Sequence, residues 1–75
     1  MKAEDLKEFV QINDTSFFYN GKEYYIFLLN DGYNVGCYNN DNESKVFKTY
    51  EDMIKEWEIE GKVFEKILDK IELNY

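Results

Sequence analysis

Two dipeptides, Asn20-Gly21 and Asp31-Gly32, stand between runs rich in aromatic and β-branched residues, and they restrict this chain more than any other feature. A two-residue loop of type I′ needs positive φ at both central positions, which Asn-Gly and Asp-Gly tolerate best, and its twist matches that of paired strands. The flanking runs 15–19, 23–30 and 33–38 therefore read as three strands of an antiparallel meander. With Asn20-Gly21 as the loop, Tyr19 is expected opposite Lys22 and Phe17 opposite Tyr24. With Asp31-Gly32 as the loop, Leu28 falls opposite Val35 and Ile26 opposite Cys37. One face then carries Phe17, Tyr24, Ile26, Leu28, Val35 and Cys37. The other carries Phe18, Tyr25, Phe27, Leu29 and Tyr38, with Gly36 opposite Phe27, where a missing side chain leaves room for the ring. Both faces are apolar, so either helices cover both or one aromatic face is kept for a partner.

Outside the meander the hydrophobic period changes from 2 to 3.6. Residues 3–12 place Leu6, Phe9 and Val10 at i, i+3 and i+4, a short amphipathic helix that Asn13-Asp14 can end. The polar run 39–44 reads as a loop, and 45–48 as a short fourth strand whose lysines guard the sheet edge. Thr49-Tyr50-Glu51-Asp52 has the form of a helix N-cap with an acidic residue at N3, so a helix is expected to begin near Tyr50. Its apolar stripe is Tyr50, Met53, Ile54 and Trp57, which places Trp57 against the sheet. Gly61 breaks or bends this helix. Val63, Phe64, Ile67, Leu68 and Ile71 mark a last helix ending near Leu73. The expected architecture is one α+β domain over residues 1–75: a three- or four-stranded antiparallel meander with an N-terminal helix and two C-terminal helices, in the order α-β-β-β-(β)-α-α.

The residue inventory removes much chemistry. There is no His and a single Cys, so His-based acid–base catalysis, His/Cys zinc sites and an internal disulfide are all excluded. Cys37 has no His or Arg beside it and reads as an inert core thiol. Asp41 and Glu43, among Asn39, Asn40 and Asn42, supply oxygen atoms but not the spacing of a calcium loop, so they read as a solvated turn. With no nucleophile, base or cofactor motif, the chain is expected to be no enzyme, with no catalytic residue, cofactor or metal. Sixteen acidic residues against nine lysines give −7, a field that repels phosphate backbones and anionic lipid. Direct nucleic-acid or membrane binding is therefore disfavoured. The opening residues carry charge and lack a secretory pattern, and no apolar run approaches the ~20 residues of a membrane span. A cytoplasmic location is expected.

What remains is binding to protein, by a monomer or weak homodimer. Carboxylates concentrate after residue 50, and Asp52, Glu56, Glu58 and Glu60 are the candidate residues for an acidic surface that enters a basic groove. Their bland alternative is a solvated helix with Glu51–Lys55 and Glu58–Lys62 as i,i+4 pairs. The second candidate surface is the face of Phe18, Tyr25, Phe27 and Tyr38. As a stacking platform for single-stranded nucleic acid it lacks the usual lysines or arginines, its nearest charge by register being Glu23. It serves instead as core beneath the N-terminal helix, or as a surface for a partner or a second copy.

The run Phe18-Tyr19-Asn20-Gly21-Lys22-Glu23-Tyr24-Tyr25-Ile26, followed by Ile59-Glu60-Gly61-Lys62 and Ile67-Leu68, resembles short proteins encoded by low-GC Gram-positive bacteria and their phages. Those motifs are turn and core residues, so the resemblance implies a fold and carries no site. In size and acidity the chain is also similar to phage-encoded inhibitors of defence nucleases of the anti-CRISPR type. That likeness implies an acidic inhibitor of a nucleic-acid-handling enzyme; the alternative, read from the strands, is a small accessory or regulatory protein that binds a partner or itself through the aromatic sheet face.

Overall fold

A computed structural model describes residues 2–74, with the backbone alone for residues 40–43. Helix α1 (Ala3–Ile12) is followed by strands β1 (Thr15–Tyr19), β2 (Lys22–Leu29), β3 (Gly32–Cys37) and β4 (Asn40–Phe47). Helix α2 (Tyr50–Glu56), a small hairpin of β5 (Glu58–Ile59) and β6 (Lys62–Val63), a single helical turn α3 (Phe64–Ile67) and strand β7 (Glu72–Leu73) complete the α+β domain. The main sheet is antiparallel, in the order β4-β3-β2-β1-β7.

The first hairpin has the register its turn dictates. Tyr19 pairs with Lys22 and Phe17 with Tyr24, across a loop in which Asn20 and Gly21 both take positive φ (51° and 77°). The second hairpin differs from expectation by two residues. Leu29 pairs with Gly32, Leu28 with Tyr33, Ile26 with Val35 and Tyr24 with Cys37, so the loop is Asn30-Asp31. Neither loop residue takes positive φ; only Gly32 does, at 126°. A turn of this kind followed by a glycine wins here because Asp31 Oδ1 accepts a 2.8 Å hydrogen bond from Asn34 Nδ2, fastening the loop to the strand. Gly32 is also required sterically, since a Cβ there would overlap the Phe47 carbonyl. The two-residue shift leaves each side chain on its expected face. It brings Tyr25, rather than Phe27, opposite Gly36, and the Tyr25 ring occupies the space a Cβ would need.

The expected polar loop at 39–44 is largely strand. Cys37 pairs with Asn40 across a Tyr38-Asn39 turn, and β4 runs to Phe47 with a register shift opposite Val35–Cys37. A strand ladder is built from backbone groups, so a polar sequence beside β3 joins it despite poor propensity. The side chains of Asp41 and Glu43 lie outside the described residues.

The C-terminal third departs most from a two-helix pattern. Helix α2 starts as its cap predicts, the Asp52 amide donating to Thr49 Oγ1 at 3.1 Å. After Trp57, however, Glu60 and Gly61 both take positive φ (53° and 80°) and form a second type I′ turn between β5 and β6. Glu58 and Lys62 thus belong to two strands, not to one helical i,i+4 pair. The last helix is a single turn, and the chain then extends so that Phe17 pairs with Leu73 and Phe18 with Glu72. Leu73 joins the core from a strand rather than from a helix end.

All the helices lie over one face of the sheet. Leu6 and Val10 of α1, Met53 and Ile54 of α2, and Phe64 and Ile67 of α3 form one buried cluster with Phe17, Tyr24, Ile26, Val35 and Cys37. Its centre is aromatic. Phe17 stacks on Tyr24 (5.4 Å between centroids) and Phe64 (5.5 Å), while Trp57 meets Phe17 edge-on at 6.0 Å. Trp57, the residue that follows α2 in extended conformation, is 2% exposed, buried as expected against the sheet. Thr15, the buried polar residue of the core, donates its hydroxyl to the Asn13 carbonyl at 3.1 Å. Tyr50 ties α2 to α1 by donating to the Ala3 carbonyl at 2.6 Å. Among the described residues, no helix is long and apolar enough to cross a membrane.

Candidate functional site

Strand alternation fixes which side chains face away from the helices. Residues paired across strands share a face, so Phe18 and Ser16 of β1, Glu23, Tyr25, Phe27 and Leu29 of β2, Asn34 and Gly36 of β3, Val46 of β4 and Glu72 of β7 all point to the uncovered side. The N-terminal helix does not cover them, because its buried residues Leu6 and Val10 belong to the opposite cluster. Phe18 is 42% exposed, Leu29 56%, Val46 49% and Tyr38 51%. Tyr25 and Phe27 are half-buried and lie nearly parallel, 5.0 Å apart, and Tyr38 tilts onto Tyr25 at 5.1 Å. The result is an aromatic cluster of Tyr25, Phe27 and Tyr38, with Phe18, Leu29 and Val46 exposed on the same side of the sheet.

The charges at this surface are acidic. The amide of Tyr38 donates to the Glu23 carbonyl at 3.0 Å, Glu23 pairs with Phe18, and Phe18 pairs with Glu72. Aromatic ring and carboxylate therefore alternate from Tyr38, in the turn after β3, across β2, β1 and β7. Glu23 Oε2 accepts a hydrogen bond from Asn74 Nδ2 at 3.4 Å, which orients it without neutralising it. The Tyr38 phenol is held above its ordinary pKa, first by partial burial and then by Glu23, Tyr25 and Asp14. Sequence reasoning had placed Phe18, Tyr25, Phe27 and Tyr38 here, and the structure brings them together. It missed Glu72, because a helical reading that ran on to Leu73 removed it from the sheet; Val46 falls in the short fourth strand expected at 45–48, but its face was not assigned. Only the apolar–acidic–apolar alternation at Ile71-Glu72-Leu73 hinted at a strand, too briefly to outweigh the helical spacing before it.

The acidic candidates lie on other elements. Asp52 and Glu56 are exposed, one helical turn apart on α2. Glu58 is exposed on β5, and Glu60 sits in the turn, where its Oε2 accepts a 3.1 Å hydrogen bond from Asn20 Nδ2. Two of the four have structural work. Asp52 occupies the first turn of α2 beside the cap, where a negative charge suits the helix dipole, and Glu60 fastens one type I′ turn to the other. Between α1 and α2 runs an open cleft of about 370 Å³ whose walls mix Glu4, Lys7, Glu51 and Lys55 around Tyr50. These charges do not converge on one point of chemistry. Cys37 is buried in the sheet opposite Tyr24, and the described residues contain no group of His, Cys, Asp or Glu arranged to hold a metal.

Compared with family models, with curated proteins and with solved structures, the chain matches none.

Proposed function

We propose that this protein acts without catalysis, as a binding module that docks another protein through the uncovered aromatic face. The observation that carries this reading is the one-sided placement of the helices, which leaves Phe18, Tyr25, Phe27, Leu29, Tyr38 and Val46 in contact with solvent on one surface. Contiguous exposed apolar surface on a small protein marks an interaction site, and aromatic side chains are the residues that carry most binding energy. The carboxylates around it favour a partner whose docking surface is basic, the property of an enzyme that handles nucleic acid. Bound there, the protein would exclude a phosphate backbone and so inhibit. Phosphate itself is disfavoured on the face by the same carboxylates.

The experiment compares three forms of the protein as bait in a lysate: wild type, Phe18→Ser with Phe27→Ser, and a triple reversal of Glu56, Glu58 and Glu60 to Lys. Docking on the sheet face predicts that the aromatic pair loses the captured partner and the triple reversal keeps it. The opposite pattern transfers the function to the acidic residues of α2 and β5. Capture unaffected by either variant overturns both.

A further inference from the structure

Resting on that docking reading, we infer that the strip Tyr38–Glu23–Phe18–Glu72 recognises guanidinium or ammonium side chains, and that the partner presents a basic segment to it. The strip has the two components such recognition needs. Exposed ring faces attract a cation through their quadrupoles, and carboxylates between the rings supply a full counter-charge. Their order follows from strand register rather than from flexible loops: Glu23 faces Phe18 and Phe18 faces Glu72, with Tyr38 held at the Glu23 end by its amide hydrogen bond. Neighbouring strands lie ~4.8 Å apart, so the two rings, like the two carboxylates, repeat at roughly 10 Å across the sheet. Arginine fits this pattern better than lysine, since its planar group stacks on a ring and still offers N–H donors to a carboxylate beside it.

Charge also selects among possible occupants. A second copy of the chain would bring Glu23 and Glu72 against the same residues on a molecule of net charge −7, which opposes pairing through this face. The helix side lacks the combination: α2 carries Asp52 and Glu56 without an exposed aromatic neighbour, and its Tyr50 ring is already approached by Lys7 Nζ at 5.8 Å.

The test is a titration of ¹⁵N-labelled full-length protein with acetylated hexaarginine amide, with acetylated hexaglutamate as control. Shifts are expected to centre on the amides of Phe18, Glu23, Tyr38 and Glu72. Phe18→Leu with Tyr38→Leu preserves every charge and should weaken binding about tenfold, and Glu23→Gln with Glu72→Gln should do so by a similar factor. An unchanged dispersed spectrum and unshifted Trp57 emission establish that these variants are folded. If the leucine pair binds hexaarginine as tightly as wild type, attraction is to the net charge alone and the proposal is overturned. Shifts centred on α2 and β5 overturn it too, as does a dilution-dependent dimer that perturbs the same four amides. If hexaarginine fails on the strip while lysate capture still depends on Phe18 and Phe27, the cation site is wrong and the docking face stands. Loss of both rejects both.

Discussion

On one side of the sheet Phe17, Tyr24, Ile26 and Val35 lie sealed under α1, α2 and α3, while one position along the same strands Phe18, Tyr25 and Phe27 meet solvent. The side chains are of one kind; what differs is the cover. Burial of an aromatic ring stabilises a fold only when something packs on it, so the inner rings hold the domain together while the exposed part of the outer surface, largest among its rings at Phe18 and Tyr38, remains available to a partner. The same residue type thus serves stability on one face and recognition on the other, and the alternation of a strand separates the two roles.

Four measurements sharpen or break that contrast. The largest effect is expected at the centre of the inner face, where Trp57→Ala should cost about 3–5 kcal/mol and unfold much of the population. Denaturant titration of this variant beside Phe18→Ala is the direct comparison, since the outer-face truncation should cost less than about 1 kcal/mol. Equal losses would mean that the outer face is as firmly packed as the inner one. Next in size is Gly32→Ala, which combines positive φ with overlap of the Phe47 backbone and should cost roughly 2–4 kcal/mol. Gly36→Ala meets only the far end of the Tyr25 side chain and should cost under about 1 kcal/mol. It should also push the Tyr25 ring off β3, visible as altered ring-current shifts at Phe27 and Tyr38.

An effect of similar size to that of Gly36→Ala is expected at the edge of the inner layer. Tyr50→Phe removes the hydrogen bond to Ala3 and should cost about 0.5–1.5 kcal/mol at neutral pH. It should also change the alkaline response. Burial, with Tyr33 adding to it, holds the folded Tyr50 phenol well above the ordinary value of 10.0. The neutral phenol is therefore favoured in the folded state. Its contribution is complete below pH 10 and is lost as pH rises from there toward the folded value. Tyr38 is raised in the same direction and adds to the slope. Stability measured from pH 9 to 12 should fall more steeply for wild type than for Tyr50→Phe, and parallel curves would reject the linkage.

Much of this arrangement can be read from particular residues. Asn20-Gly21 sets the first register, the Leu6–Val10 spacing sets α1, and Thr49 with Asp52 sets the start of α2. Each is a local signal whose energetics are complete within a few residues. The second hairpin was misplaced by two positions because Asp31-Gly32 also suits a turn in which only the glycine is left-handed, and a shift of two cannot be detected in a pattern of period 2. The first half of β4 and the whole of β7 were unreadable for a different reason: both take their conformation from a neighbouring strand, whereas residues 45–47 fall within the short fourth strand expected at 45–48. Of the outer face, the four aromatic residues were legible from alternation. Its exposure was not, since covering both faces and covering one leave the same trace in the strands. Nor was the place of Glu72, which exists only once β7 has paired.

The position of β7 sets an order of assembly. Strands β1, β2 and β3 each pair with the next strand in sequence, so the meander closes short loops and can form as soon as its own residues are available. The pairing of β1 with β7 joins opposite ends of the chain. During synthesis, the free edge of β1 therefore stays open until residues 72 and 73 have emerged. Over that interval the nascent chain exposes unpaired backbone beside Phe17 and Phe18, and it is then, more than in the finished fold, that the protein is vulnerable to pairing with the wrong strand.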